Sequence, residues 1–307
     1  MNAPVVPVPA AGVQAVRSTK AGTRRRWTPY LLLLPGLLWL GIFFIIPLAS
    51  LLMQSLQTPV PNGLAGQFQQ TWRFQNYIDT LSQPNFYNAM IRSFTYSFIA
   101  TVLALLIAYP LAYAIALRAG RAKPLLLVLV VAPFFVSFIL RTIAWKQVLG
   151  AEGPVVSTLQ ALHLVQQNFT IYPSSAAVIA GLTYNFLPFM TLPIFASLDR
   201  LDTRLVEAAN DLYAGNLVAF RKVTLPLTMP GVVAGTLLTF IPASGDYINS
   251  ELLGGSVNTT MIGKVIDSRF LVLSDYPAAS VLSFTLMSII LAAVWLYVRK
   301  AGTEELV

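Results

Sequence analysis

From Tyr30 to Met53 the chain runs about 24 residues without one charged side chain. At ~1.5 Å per helical residue this run reaches about 36 Å, enough to cross a hydrocarbon core of about 30 Å. Inside a bilayer every backbone N–H and C=O must find its partner within the protein, so such a run is restricted to a helix. A secretory signal has an apolar core of only about 7–15 residues, and an uncleaved first span is expected instead. Five further runs follow, near Ser93–Leu117, Pro124–Trp145, Ser175–Leu198, Met229–Ser250 and Ala279–Val298. The expected fold class is all-α, a polytopic membrane protein with six transmembrane helices.

Composition agrees. Of 307 residues, 56% are hydrophobic and 10% charged, whereas a soluble globular chain carries about 25% charged residues. The absence of cysteine excludes disulfides, thiolate catalysis and cysteine-ligated zinc or iron–sulfur centres. The single histidine, His163, falls in a segment read as outside the membrane. One histidine builds no His-rich metal site, and no metal site is expected. The net charge of +8 is read as membrane topology rather than as a nucleic-acid footprint.

Six spans place both termini on one side. That side would hold fourteen of the lysines and arginines and the other six, and the richer side is cytoplasmic. The expected organisation is a disordered cytoplasmic tail over residues 1–28, a six-helix membrane domain over 29–299 and a short cytoplasmic tail over 300–307. The loops on the far side are long, roughly 54–92, 146–174 and 251–278, with aromatics such as Trp72, Phe74, Tyr77, Phe86 and Tyr87. They suggest an external docking face or anchors at the membrane interface. Prolines at 35, 47, 110, 133, 188, 193 and 242 are expected to kink the spans, because proline removes a helical hydrogen bond.

One cytoplasmic loop, 199–228, is polar in this apolar chain. Asp202 is placed to cap a helix. Leu205, Ala208, Ala209 and Leu212 follow at spacings of three and four, a modest apolar stripe. Gly215-Asn216 signals a turn. A second short helix then carries Leu217, Phe220 and Val223, and Leu225-Pro226 is expected to end it. The stripe and Phe220 offer apolar contact to a partner, while Glu207, Arg221 and Lys222 offer charge.

Here the chain resembles a known family. Glu207-Ala208-Ala209 and Val223-Thr224-Leu225-Pro226 match the frame of the EAA loop of ATP-binding cassette importer permeases. The family's glycine would fall at Tyr213, and the nearest glycine here is Gly215, so the turn is displaced or made without glycine. Further segments resemble the spermidine/putrescine permease subunits. They are Phe138–Trp145 with Gly150 and Gly153-Pro154, Tyr184–Met190, Ile241–Tyr247, Glu251–Gly255 and Met261–Gly263. The likeness runs from about residue 29 to residue 299. It implies a type I importer permease fold and coupling to a partner ATPase through Glu207, Ala208, Ala209, Tyr213, Gly215, Phe220, Arg221, Leu225 and Pro226. It also implies a second permease subunit, two ATP-binding ATPase subunits and an extracytoplasmic substrate-binding protein. A slightly long N-terminal tail resembles the first of two unlike subunits and favours a heterodimer. Gly263-Lys264 is followed by Val265, where a P-loop needs Ser or Thr. ATP and magnesium would therefore be bound by the partner ATPase, with no cofactor and no catalytic residue in this chain.

A path for polyamines, flexible polycations, should offer carboxylates, carbonyls and aromatic faces. The candidates are Asp246, Tyr247, Tyr184, Asn185, Trp145, Phe134 and Glu251. Asp246 is expected toward the outer end of the fifth span, where a carboxylate is costly and so points to function. It could equally cap the kink near Pro242. Arg141 argues against a purely anionic tunnel and is expected at the outer interface or paired with a carboxylate. Other cargoes of the same machine, such as ferric iron, thiamine or an opine-like compound, stay open. An ion-coupled secondary transporter would commonly show an internal repeat, and none is clear.

Overall fold

The computed structural model describes residues 28–301, except 62, 65 and 167. The expected N-terminal tail falls, but for Thr28, outside the described residues, as do residues 302–307 of the C-terminal tail. In chain order the helices begin with α1 (Thr28–Leu40), a π-helical turn (Gly41–Ile45) and α2 (Ile46–Ser55). A small antiparallel pair follows, β1 (Gln57–Pro59) with β2 (Phe68–Gln70), in which Thr58 faces Gln69. Next come α3 (Gln75–Leu81), α4 (Pro84–Leu117), α5 (Lys123–Val131), α6 (Phe138–Val148) and α7 (Pro154–Ala161). Then follow α8 (Ser175–Asp199), α9 (Thr203–Asp211), α10 (Asn216–Ala219), α11 (Leu225–Ser244), α12 (Ile262–Asp267) and α13 (Tyr276–Ala301).

The chain divides into two compact units, residues 1–50 and 51–307. In the first, the apolar run is helical from Thr28 onward, with leucines and aromatics such as Leu32, Trp39 and Phe43 facing outward. Lipid-facing residues of that kind need no aqueous cover.

In the second unit α4, α8 and α11 form the packed centre. The reason is visible in α4, where Ala100, Ala104, Ala108 and Ala112 recur every fourth residue and are fully buried. Such a stripe of small residues lets helix backbones approach closely, and Met190, Ile194 and Leu198 of α8 fill the space above it. On α11, Gly231 serves the same purpose, since a Cβ there would meet the Pro193 carbonyl oxygen at 2.6 Å. Polar threads fix the register. Tyr96 donates to Ser175 Oγ at 2.8 Å, and the Ile262 N–H donates to Ser93 Oγ at 2.7 Å.

Among the described residues five helices are long and apolar enough to cross a membrane, and there are six if the bent pair around α5 and α6 counts as one span. The expected span Pro124–Trp145 is therefore not one straight helix. It turns by 96° between residues 135 and 138, after a 3-10 turn that Pro133 opens. At the other expected positions Pro47 stands in the first turn of α2, and α1, α4, α8 and α11 run on without a break through Pro35, Pro110, Pro188, Pro193 and Pro242. The fourth and sixth spans lie close to expectation, α13 running on to Ala301. The second starts nine residues early, at Pro84, because Pro84 supplies a preset first turn. The fifth stops early, at Ser244, where Gly245 follows as the C-cap.

Candidate functional site

The polar loop begins where α8 ends. Asp199 there pairs with Lys123, whose ammonium also lies 5.3 Å from the Phe195 ring. Asp202 caps α9, its carboxylate accepting the Arg204 N–H at 3.0 Å, as the sequence predicts. Between α9 and α10 the chain reverses at Tyr213, which adopts φ +59°. The left-handed backbone thus sits at the position where the resembling family carries glycine, and it is made without one. Tyr213 is fully exposed, so its side chain gains nothing in return within this chain. Gly215 has ordinary φ −64° and starts α10.

The second half of the loop departs from expectation. Leu225-Pro226 does not end a helix. A π-helical turn over Phe220–Thr224 carries α10 into α11, and the helix is continuous from Asn216 to Ser244. Proline has no N–H and its ring crowds the carbonyl four residues back; a wider turn accommodates both. Phe220 is also not free for a partner. It packs edge-on against Tyr109 at 5.5 Å and against Tyr113 at 6.4 Å. Beneath it Thr228 gives its hydrogen to the Thr224 carbonyl and accepts from Tyr109 at 2.8 Å. What remains open is an apolar stripe with charges beside it. Leu212 and Leu217 are about four-fifths exposed (81% and 79%), and Leu205 is half exposed. Glu207, Ala208, Arg221, Lys222 and Pro226 are exposed, whereas Ala209 and Leu225 are half-buried.

The expected path residues fall into separate groups. Asp246 lies beyond the end of α11, buried, and its carboxylate accepts the Asn249 N–H at 2.7 Å. It therefore caps the helical turn that starts after it, the role its position near Pro242 allowed. Asn185, 1% exposed on α8, donates to Thr142 Oγ1 at 3.2 Å and to Asn249 Oδ1 at 3.1 Å. The close approach depends on Gly181, where a Cβ would meet Asn249 Oδ1 at 2.6 Å. Asp246 and Asn185 are thus joined through Asn249. Trp145 and Tyr184 pair with ring centroids 5.3 Å apart. Phe134 packs on Phe189 at 5.0 Å, and Tyr247 is half exposed.

Glu251 stands apart, in an ion pair with Lys264 at 3.1 Å, and Asp267 lies 3.4 Å from the same ammonium. Partial burial alone would lower the Lys264 pKa, but the two carboxylates outweigh it and raise the group above its ordinary value. Arg141 is not paired with a carboxylate among the described residues. It is buried, 8% exposed, over the faces of Phe134 and Phe138. Sequence reasoning missed Thr142, Asn249 and Lys264. The available signal was Asp246-x-x-Asn249, the spacing of a capping carboxylate and the N–H it accepts.

The profile of binding-protein-dependent transport system inner membrane components matches residues 120–300. The chain belongs to that family. It is 36% identical over 261 residues to the spermidine/putrescine transport system permease protein PotB of Haemophilus influenzae, covering 85% of this chain and 90% of that one. With the protein of the same name from Escherichia coli it shares 34% over 260 residues, 84% of this chain and 93% of the relative. Among solved structures, a bacterial ABC transporter involved in import of the acidic polysaccharide alginate matches with TM-score 0.72 and 17% identity, over 90% of this chain and 96% of that one. The MetNI methionine ABC transporter, in an inward-facing conformation, matches with TM-score 0.51 and 18% identity, over 70% and 92%. The fold is that of a type I ABC importer permease, a multi-pass inner-membrane component of a transporter.

Proposed function

We propose that this chain is a polyamine-translocating permease subunit of an ATP-driven importer. The observation that carries the reading is identity of 34–36% over some 85% of the chain to permeases named for spermidine and putrescine. ATP is hydrolysed by partner ATPase subunits, with magnesium bound there. This chain contributes the loop from Asp202 to Pro226 as their docking element. A second permease subunit, unlike the first, completes the path, and an extracytoplasmic binding protein delivers the cargo. Both termini are cytoplasmic, on the same side as the loop.

The mechanism is alternating access. Closure of the ATPases moves the exposed stripe around Glu207, and α11, continuous with α10, carries that motion to the turn at Asp246. The path opens outward, receives the polyamine, and reopens inward after hydrolysis. Tyr184, Trp145 and Phe134 offer ring faces, which attract ammonium groups by about 0.5–2 kcal/mol each. Asp246, Asn185, Tyr247 and Glu251 offer carboxylate, amide and hydroxyl oxygens. The bend between α5 and α6 fits a lining role, since irregular backbone at membrane depth is tolerated where it faces protein or a cavity.

The test is substrate-stimulated ATPase activity of the complex, purified with its ATPase and binding protein and given spermidine, putrescine, thiamine and ferric iron in turn. Stimulation by polyamines alone is expected. Stimulation by thiamine or iron instead would keep the importer and discard the cargo.

A further inference from the structure

Arg141 is held in an unusual way. Its guanidinium carbon lies 5.7 Å from the ring centroid of Phe134 and 5.5 Å from that of Phe138. Two rings of α8 back this pair, Phe189 against Phe134 at 5.0 Å and Phe186 against Phe138 at 6.1 Å. Arg141 Nε and Nη1 are buried and have no hydrogen-bond partner. Among the described residues every ion pair leaves Arg141 out. The charge is therefore held by ring faces, with two donors unsatisfied. Buried donors without acceptors are unfavourable, so this side chain is a weakly compensated resident. Both nitrogens are also closed to solvent, and an acceptor from another chain reaches them only if the side chain moves.

We propose that the Phe134–Phe138 cage is a binding site for an ammonium group of the cargo, and that Arg141 is its tethered occupant in the unloaded chain. The inference rests on the polyamine reading above. Arginine carries its cation on a stem of three methylenes, and the aminopropyl arm of spermidine carries an ammonium on a stem of the same length. Ring faces attract any well-placed cation without a fixed hydrogen-bond direction, so ammonium replaces guanidinium at little loss to the cage. Displaced, Arg141 can satisfy Nε and Nη1 elsewhere. The site lies at the break between α5 and α6, where Phe135, Val136 and Ser137 are exposed and leave an approach from outside the packed centre.

The experiment is equilibrium binding of labelled spermidine to the permease–ATPase complex in detergent, without the binding protein. Arg141→Ala empties the cage and should bind about tenfold more tightly than wild type, the scale of a desolvated cation–π contact. Arg141→Lys refills it with an ammonium and should match wild type. Adding Phe138→Ala to Arg141→Ala should remove the gain. No tightening in Arg141→Ala, or a gain that survives Phe138→Ala, overturns the proposal. If Arg141→Ala does not fold, Phe138→Leu in the intact chain decides, because it keeps bulk and loses the ring face. Spermidine uptake at saturating binding protein should then fall by about threefold or more, and unchanged uptake overturns the cage. Wild-type uptake reports on the cargo separately. If wild type carries spermidine and the variants show no effect, the cage alone fails; if wild type carries no polyamine, both readings fail.

Discussion

The Asn185 amide donates to Asn249 Oδ1 across 3.1 Å, tying the middle of α8 to the turn beyond α11. Both residues are buried. Asn249→Ala removes the acceptor and leaves a void beside Gly181, while the backbone N–H that Asp246 accepts remains. The expected loss is about 1–3 kcal/mol of stability, read as a lower melting temperature in detergent. An unchanged melting temperature would show that the contact stabilises nothing.

Glu207 and Ala208 are exposed, and Ala209 is only half-buried. Glu207→Lys and Ala209→Asp should therefore leave the protein folded in the membrane. Each should abolish uptake by losing the ATPase, measured by co-purification. Normal co-purification and uptake in both variants would remove the loop from coupling.

Tyr213 holds φ +59° with a fully exposed side chain. A left-handed conformation costs a residue with a Cβ about 1–2 kcal/mol, and glycine avoids it. The gain is partly offset because glycine frees the unfolded chain. Tyr213→Gly should therefore protect the amides of α9 and α10 by up to about 1 kcal/mol, read by hydrogen exchange. Faster exchange there would mean that Tyr213 has a contact worth more than its strain.

Phe220 anchors the loop to Tyr109 and Tyr113. Full burial of a phenylalanine is worth about 3–5 kcal/mol on truncation to alanine, and a half-buried one roughly half of that. Phe220→Ala should lower the melting temperature, unlike Glu207→Lys, and should also weaken ATPase coupling. Loss of coupling without loss of stability would return Phe220 to the partner-facing side.

The raised Lys264 pKa has a sign that can be checked. The ion pairs with Glu251 and Asp267 stabilise the fold below the unfolded value of 10.5 and are lost as pH rises through the higher folded value. The stability difference between wild type and Lys264→Met should thus shrink above about pH 10.5. A difference constant with pH would assign the effect of Lys264 to packing.

Local rules carried the sequence reading furthest. The Asp202 cap, the start of α8 and the small-residue loop frame depend on neighbours in the chain, and all were legible. A kink at Pro133 was expected and the bend at residues 135–138 follows it, but its size was not legible, because Pro133 looks the same in sequence as Pro188 or Pro193, through which α8 continues. What differs is tertiary support from packed neighbours. Phe220 was misread for a related reason: an aromatic on a polar loop looks like a docking group until Tyr109 and Tyr113, over a hundred residues earlier, are seen beneath it. The uncompensated Arg141 was invisible for the converse reason, since sequence shows charges but not missing partners.

The helix that starts at Asn216 and ends at Ser244 is 29 residues long. At ~1.5 Å per residue it is a rod of about 43 Å, with the polar loop at one end and the Asp246 turn at the other. A tilt of about 5° displaces one end of such a rod by about 4 Å relative to the other. The helix runs unbroken through Leu225-Pro226, and its π-helical turn at Phe220–Thr224 sits at the handle of the lever rather than along its arm.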